Sequence, residues 1–214
     1  MKNLKHFSTI LLASMLSFSV AFAESNVTSS SALQELKDGN ARFLAKKPIN
    51  TDYEKQIAET KDGQKPHSAI LTCMDSRVPP EIIFDQGIGN IFSLRNAGNI
   101  EDPNILGSLE YAVKFAGSKL IVVMGHTNCG AVTGAVENVE SGNLSQLLDQ
   151  IKPSIKDPLD DPKVVDKTAM NNVKKTINDI LVTSPTIKEM VDKGEIEIIG
   201  AFYDLSTGKV DFFK

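Results

Sequence analysis

The stretch Leu71 to Arg77 sets a thiol, a carboxylate and a guanidinium on alternate positions: Cys73, Asp75 and Arg77. Well downstream, His126 and Cys129 stand three apart in the run His126-Thr127-Asn128-Cys129-Gly130. Together they supply two thiolates and one imidazole, a set that zinc takes in catalytic sites with a fourth position left for water. Zinc brings the pKa of that water down to about 7, which gives hydroxide at neutral pH. The chemistry implied is hydrolysis or hydration. A structural zinc site usually has a fourth Cys or His, and past the N-terminal region the chain offers only His67 and no third cysteine. Asp75 has two options. It can pair with Arg77, which holds carboxylates bidentately, and so orient the hydroxide; or it can close onto the zinc as a fourth ligand. The competing reading of the two cysteines is a disulfide. His126 beside Cys129, and Asp75 and Arg77 beside Cys73, favour the metal, with one Zn2+ per chain.

Ligands this far apart need a frame that brings them together. Ser68 to Thr72, Asn90 to Leu94 and Leu120 to Met124 are short apolar runs of strand type, separated by helical patterns. Asn104 to Ala116 has helical spacing through Ile105, Leu109, Ala112 and Val113, and further helices are expected near Gly130 to Val139, Leu144 to Ile151, Lys163 to Val182 and Ile187 to Asp192. Apolar strands between helices indicate a parallel sheet covered on both faces. Glu195 to Tyr203 and Lys209 to Phe213 form a hairpin around Ser206-Thr207-Gly208. Glu24 to Ser30 is a polar leader, and Ser31 to Gln34 a capping box opening a helix. Gly39 weakens that helix locally. Ser141-Gly142-Asn143 is a turn, and Asp157 to Asp166 a solvated acidic connection. The fold expected is α/β: a central, mostly parallel sheet flanked by helices, with an N-terminal helical arm and a C-terminal antiparallel hairpin. In such sheets ligands bind beyond the carboxyl ends of the strands, where Cys73 and His126 fall.

The 214 residues suit one domain. Residues 1–23 have the layout of a secretory signal peptide: a basic start with Lys2 and Lys5, an apolar run from Ile10 to Phe22, and a small-residue site at Ala21-Phe22-Ala23. The expected mature domain is 24–214, in a periplasmic or secreted location. Losing two lysines and no acid takes the net charge from −4 to −6. No basic stretch suggests nucleic acid, and no second apolar run is long enough to cross a membrane.

Cys73-x-Asp75-x-Arg77, His126-x-x-Cys129 and the intervening Arg95-Asn96-Ala97-Gly98-Asn99 resemble the β-class carbonic anhydrases. Smaller likenesses are Gly39 to Phe43, Glu110 to Val113, and Tyr203-Asp204 with Thr207-Gly208. The resemblance implies reversible conversion of carbon dioxide to bicarbonate and a proton. It assigns Cys73, His126 and Cys129 to zinc and Asp75 and Arg77 to a catalytic dyad. Counting from the ligands, Gln64, Phe92 and Tyr111 match the substrate cleft of one subgroup, and the absence of Trp argues against the other. The family's basic unit is a homodimer, or a tetramer built from it. Its cleft lies at the subunit interface, and its N-terminal helices embrace the partner. The Gly98 amide is a weaker candidate donor to a substrate oxygen. No histidine stands out as a proton shuttle, and His67 reads as structural. Hydrolysis of carbon disulfide or carbonyl sulfide on the same fold, and a non-catalytic periplasmic zinc-binding role, are the alternatives.

Overall fold

The computed structural model describes residues 27–214; the expected signal peptide and the start at Glu24 lie outside them. Five strands form one sheet: β1 (Ser68–Cys73), β2 (Ile91–Asn96), β3 (Leu120–His126), β4 (Glu197–Tyr203) and β5 (Val210–Phe213), in the order β2-β1-β3-β4-β5. The first four run parallel, and β5 turns back antiparallel on β4. β1 and β3 are buried along their whole length, as continuous apolar strands covered on both faces should be. β2 alternates half-buried and exposed positions because it is the sheet's outer edge.

Alternation along the strands sorts the core into two layers. Ile70, Leu120, Val122, Met124 and Ile199 pack with Ala32 and Leu36 of α1 (Ser29–Leu44) on one face. Ala69, Leu71, Ile121 and Val123 pack on the other face with α4 (Pro103–Glu110), α7 (Val164–Thr183) and α8 (Pro185–Asp192). The remaining helices are α2 (Tyr53–Thr60), α3 (Pro80–Ile83), α5 (Gly130–Val136) and α6 (Gly142–Ile151). Among the described residues, no helix is long and apolar enough to cross a membrane.

Several local expectations shift. The first helix opens earlier, with Thr28 as its cap and Ser31 closing the capping box, so the leader is helical from Ser29. Ser141 to Asn143 is not a free turn: Ser141 precedes α6, which starts at Gly142. The helix over 104–116 keeps α geometry only to Glu110 and finishes as a π-helical turn, Tyr111–Phe115. Gly39 has a tertiary reason, since a side chain there would run into the Phe84 carbonyl where α1 crosses α3. Asn40 joins α1 to the hairpin: its amide donates to the carbonyls of Ile83 and Gly208 and its oxygen accepts from the Val210 amide.

Candidate metal centre and active site

The chain leaves β1 toward β2 on one side, then crosses back so that β3 pairs with β1 on the other. The reversal falls between β1 and β3, the place in an open α/β sheet where a crevice forms at the carboxyl ends. Cys73 is the last residue of β1 and His126 the last of β3. Cys129 caps α5 immediately afterwards. Ile100, Val132, Ala135, Leu148 and Ile151 pack around the two thiols as a separate apolar cluster.

Cys73, His126 and Cys129 are all buried, and their donor atoms lie within 4.8 Å of one another. The two sulfurs are 3.8 Å apart, and both cysteines are free. Two thiolates on one tetrahedral zinc, each about 2.3 Å from the ion, would sit about 3.8 Å apart, whereas a disulfide needs about 2.05 Å. The pair therefore has the spacing of a metal site. His126 Nδ1 lies 2.9 Å from the Thr127 carbonyl. A carbonyl only accepts, so the proton sits on Nδ1 and the lone pair on Nε2. That Nε2 is buried with no hydrogen-bond partner, a costly state that a metal ion relieves. The residues fit zinc. The hydrogen bond with Cys129 outweighs burial and, with help from His126 and the amides of Gly98 and Asp75, draws the Cys73 thiol down to about 4. The same bond, with burial added, pushes Cys129 up. Without a metal the two close thiols thus share one proton.

Asp75 lies beside this cluster, its Oδ2 4.0 Å from His126 Nε2. Arg77 donates from Nε to Asp75 Oδ1 at 2.9 Å and from Nη2 to Oδ2 at 2.7 Å, and its backbone amide adds a third bond at 2.9 Å. These bonds outweigh desolvation and hold the Asp75 carboxyl well below the usual carboxylate range. Of the two roles open to Asp75, the structure shows the arginine pair. Its side chain is 15% exposed, against 56% for Arg77, so the dyad faces the opening of the site.

Arg95 has a role the sequence did not single out. It donates to the backbone carbonyls of Cys73 at 3.1 Å and Asp75 at 2.5 Å and so braces the loop that carries the dyad. The solvated acidic connection expected over 157–166 is exposed or half-buried through Lys163, but Asp166 already belongs to the first turn of α7. Its carboxylate accepts the Asn128 amide at 2.8 Å and holds the turn between the two later ligands, where Asn128 has a left-handed φ of 52°. An aspartate in the first turn of a helix carries no local sign of such a partner. Gly98 is also corrected: its amide points at Cys73 Sγ, 3.4 Å away, and is spent on the metal ligand rather than on substrate. His67 is structural, bonded through its two ring nitrogens to Ser68 and Gln86 before the start of β1.

The remaining cleft residues lie elsewhere in the chain. Phe92 pairs in register with Ala69, four residues before Cys73, which is about 13 Å along the strand. Its ring meets Tyr111 edge-on with centroids 6.3 Å apart, and the two line a surface cavity with Leu94 and Pro103. Gln64 is exposed and precedes β1 at its amino end. Cys73, His126 and Cys129 of the same chain do not line the cavity that holds Phe92 and Tyr111.

Comparison with known proteins agrees with the geometry. Residues 68–210 match the family described as "Carbonic anhydrase". The chain is 37% identical to "Carbonic anhydrase 2" of Mycobacterium tuberculosis, covering 86% of this chain and 92% of that protein. It is 36% identical to a carbonic anhydrase of Mycolicibacterium smegmatis, covering 84% and 91%. Among solved structures, a β-carbonic anhydrase of Sordaria macrospora, one of two described as tetrameric, superposes with a TM-score of 0.67 at 29% identity over 86% of this chain and 97% of that one. With a buried Cys-His-Cys cluster at the sheet's switch point and this extent of match, the chain belongs to the β-class carbonic anhydrase family.

Proposed function

We propose that the chain hydrates carbon dioxide reversibly at one zinc ion held by Cys73, His126 and Cys129, with Asp75 and Arg77 as the catalytic dyad. The observation that carries this reading is the partnerless Nε2 of His126 facing two thiols at tetrahedral spacing, with a carboxylate pinned alongside. Zinc supplies the Lewis acidity that makes water a nucleophile at neutral pH. The chain's own groups do the rest. Asp75, fixed by Arg77, accepts a hydrogen bond from the attacking water and turns its oxygen lone pair toward the carbon. The new C–O bond opens one carbonyl of carbon dioxide, bicarbonate leaves, and a proton passes to solvent.

The cleft residues complete the site across an interface. Tyr111 and Phe115 stack with centroids 6.1 Å apart and are 54% and 68% exposed beside the open β2 edge. A second copy covering this edge would bury them and bring its Phe92, Tyr111 and Gln64 toward the first copy's metal. The aromatics then form an apolar wall, and the glutamine amide donates to a substrate oxygen. A homodimer, or a tetramer built from it, is the assembly this arrangement needs. The leader at residues 1–23 supports export to the periplasm or beyond, and N-terminal sequencing of the protein from cell fractions should find Glu24 first.

The test is stopped-flow hydration with zinc quantified on the same sample. Rapid hydration with about one zinc per chain is expected. Zinc without hydration, together with turnover of carbon disulfide or carbonyl sulfide, would reassign the substrate; zinc with no turnover of any of them would leave a binding protein.

A further inference from the structure

Helix α7 carries an asparagine in a place where a helix needs none. Asn172 is 1% exposed, on a face it shares with Ala169, Val173 and Thr176. Burying an amide there is unfavourable unless its hydrogen bonds are made. Its Nδ2 donates to the Gly98 carbonyl at 2.7 Å, and its Oδ1 accepts from the Ser154 hydroxyl at 3.3 Å. Gly98 in turn donates its N–H to Cys73 Sγ at 3.4 Å. A continuous path of hydrogen bonds therefore runs from the interior of α7 to a metal-binding sulfur.

Gly98 is the soft point of that path. Its φ is 74°, a conformation that favours glycine, and a Cβ would come within 2.5 Å of Ile151 Cδ1. Glycine brings backbone freedom with it. The peptide on one side of Gly98 aims its N–H at sulfur, and Asn172 grips the peptide on the other side. Without that grip the residue is free to turn its N–H away.

We propose that Asn172 is a positioning residue for the metal centre. By fixing Gly98 it keeps an N–H on the Cys73 thiolate, and so sets both how tightly the ion is held and how much charge the sulfur donates to it. The inference rests on the reading of Cys73 as a zinc ligand. Groups that hydrogen-bond to metal ligands orient them and tune the ion; here the hydrogen bond draws charge from the sulfur and fixes its direction.

The test compares Asn172→Leu and the smaller Asn172→Ala with Ile180→Val, a packing change on the same helix two turns away. Thermal transitions first establish that each holoenzyme is folded. Competition with a chelating dye should show zinc held about tenfold more weakly in the Asn172 variants and within about twofold of the parent in Ile180→Val. In the cobalt-substituted proteins the thiolate-to-cobalt absorption should move in the Asn172 variants only. Parent protein loaded with cadmium-113 gives a readout that needs no variant: a through-bond coupling between the metal and the Gly98 amide proton. Unchanged zinc retention and an unmoved cobalt band in folded Asn172 variants, or no coupling to Gly98 in the parent, overturn the proposal. A parent protein that binds no zinc sinks the metal reading itself, so the two failures are distinguishable.

Discussion

At the carboxyl end of β1 the Cys-His-Cys donors are buried and supplied by one chain, and their neighbouring loops are braced by Arg95 and Asp166. Along the β2 edge Tyr111 and Phe115 are more than half exposed, and Ser93 and Arg95 of the nearest strand are open to solvent. The contrast separates two requirements. A metal ion needs fixed donors at fixed spacing, which one closed core provides. A substrate wall needs only apolar surface brought close to that ion, which a second molecule can provide. One chain should therefore bind metal without assembling, and turn over efficiently only when assembled.

The largest effect should come from breaking the closed region. Cys73→Ala removes one of the three proposed ligands, and both bound zinc and hydration should fall to background in metal analysis and stopped flow. Asp75→Ala should separate binding from chemistry: zinc stays near one per chain while turnover drops about 10²-fold. A loss of zinc in that variant would mean that Asp75 holds the ion after all. Phe115→Asp addresses the open region. Its ring is 68% exposed, so the single chain should keep its stability within about 0.5 kcal/mol. Sedimentation should show the assembly shifted toward monomer, with zinc retained and hydration lowered about tenfold, or about 1.4 kcal/mol of barrier. Full activity in a proven monomer would erase the contrast.

The last effect falls on stability rather than turnover and concerns how the arm is tied to the connection that leads into β2. Burial pushes the Asp85 carboxyl up, but Arg42 and the amides of Ile49 and Asn50 together outweigh it, and its pKa is lowered. Arg42 Nε lies 2.5 Å from Asp85 Oδ2. A lowered native pKa stabilises the fold above the ordinary aspartate value, about 3.9, and that stability is lost as pH falls through the native value. In zinc-free protein, Asp85→Asn should cost about 2 kcal/mol near pH 7, and denaturant titrations should show the gap closing below about pH 4. A gap that stays constant with pH would remove the ion pair from the account.

Much of the site was legible because its information is local. Cys73, Asp75 and Arg77 lie within five residues and His126 and Cys129 within four, and each group follows a strand whose apolar run marks it as buried. Residue type and spacing therefore stated the chemistry. The parallel sheet and terminal hairpin were legible for the same reason, from apolar runs and a turn. The Gly98 amide was misread because the direction of an N–H depends on backbone torsions that a residue name does not specify. The bond Asp166 makes to the Asn128 amide was not legible because the two are distant in sequence.

The sequence by itself determined the candidate ligands, the candidate dyad and the order of strands and helices, since those follow from side-chain chemistry and short-range periodicity. Tertiary structure decided which lone pair of His126 is free, that the two sulfurs stand at metal spacing, and that Asp75 pairs with Arg77. It also placed Phe92 and Tyr111 on an open edge away from their own chain's Cys-His-Cys cluster and put Asn172 behind Cys73. These outcomes depend on distances and directions between residues far apart in the chain, which only the packing of helices on the sheet fixes.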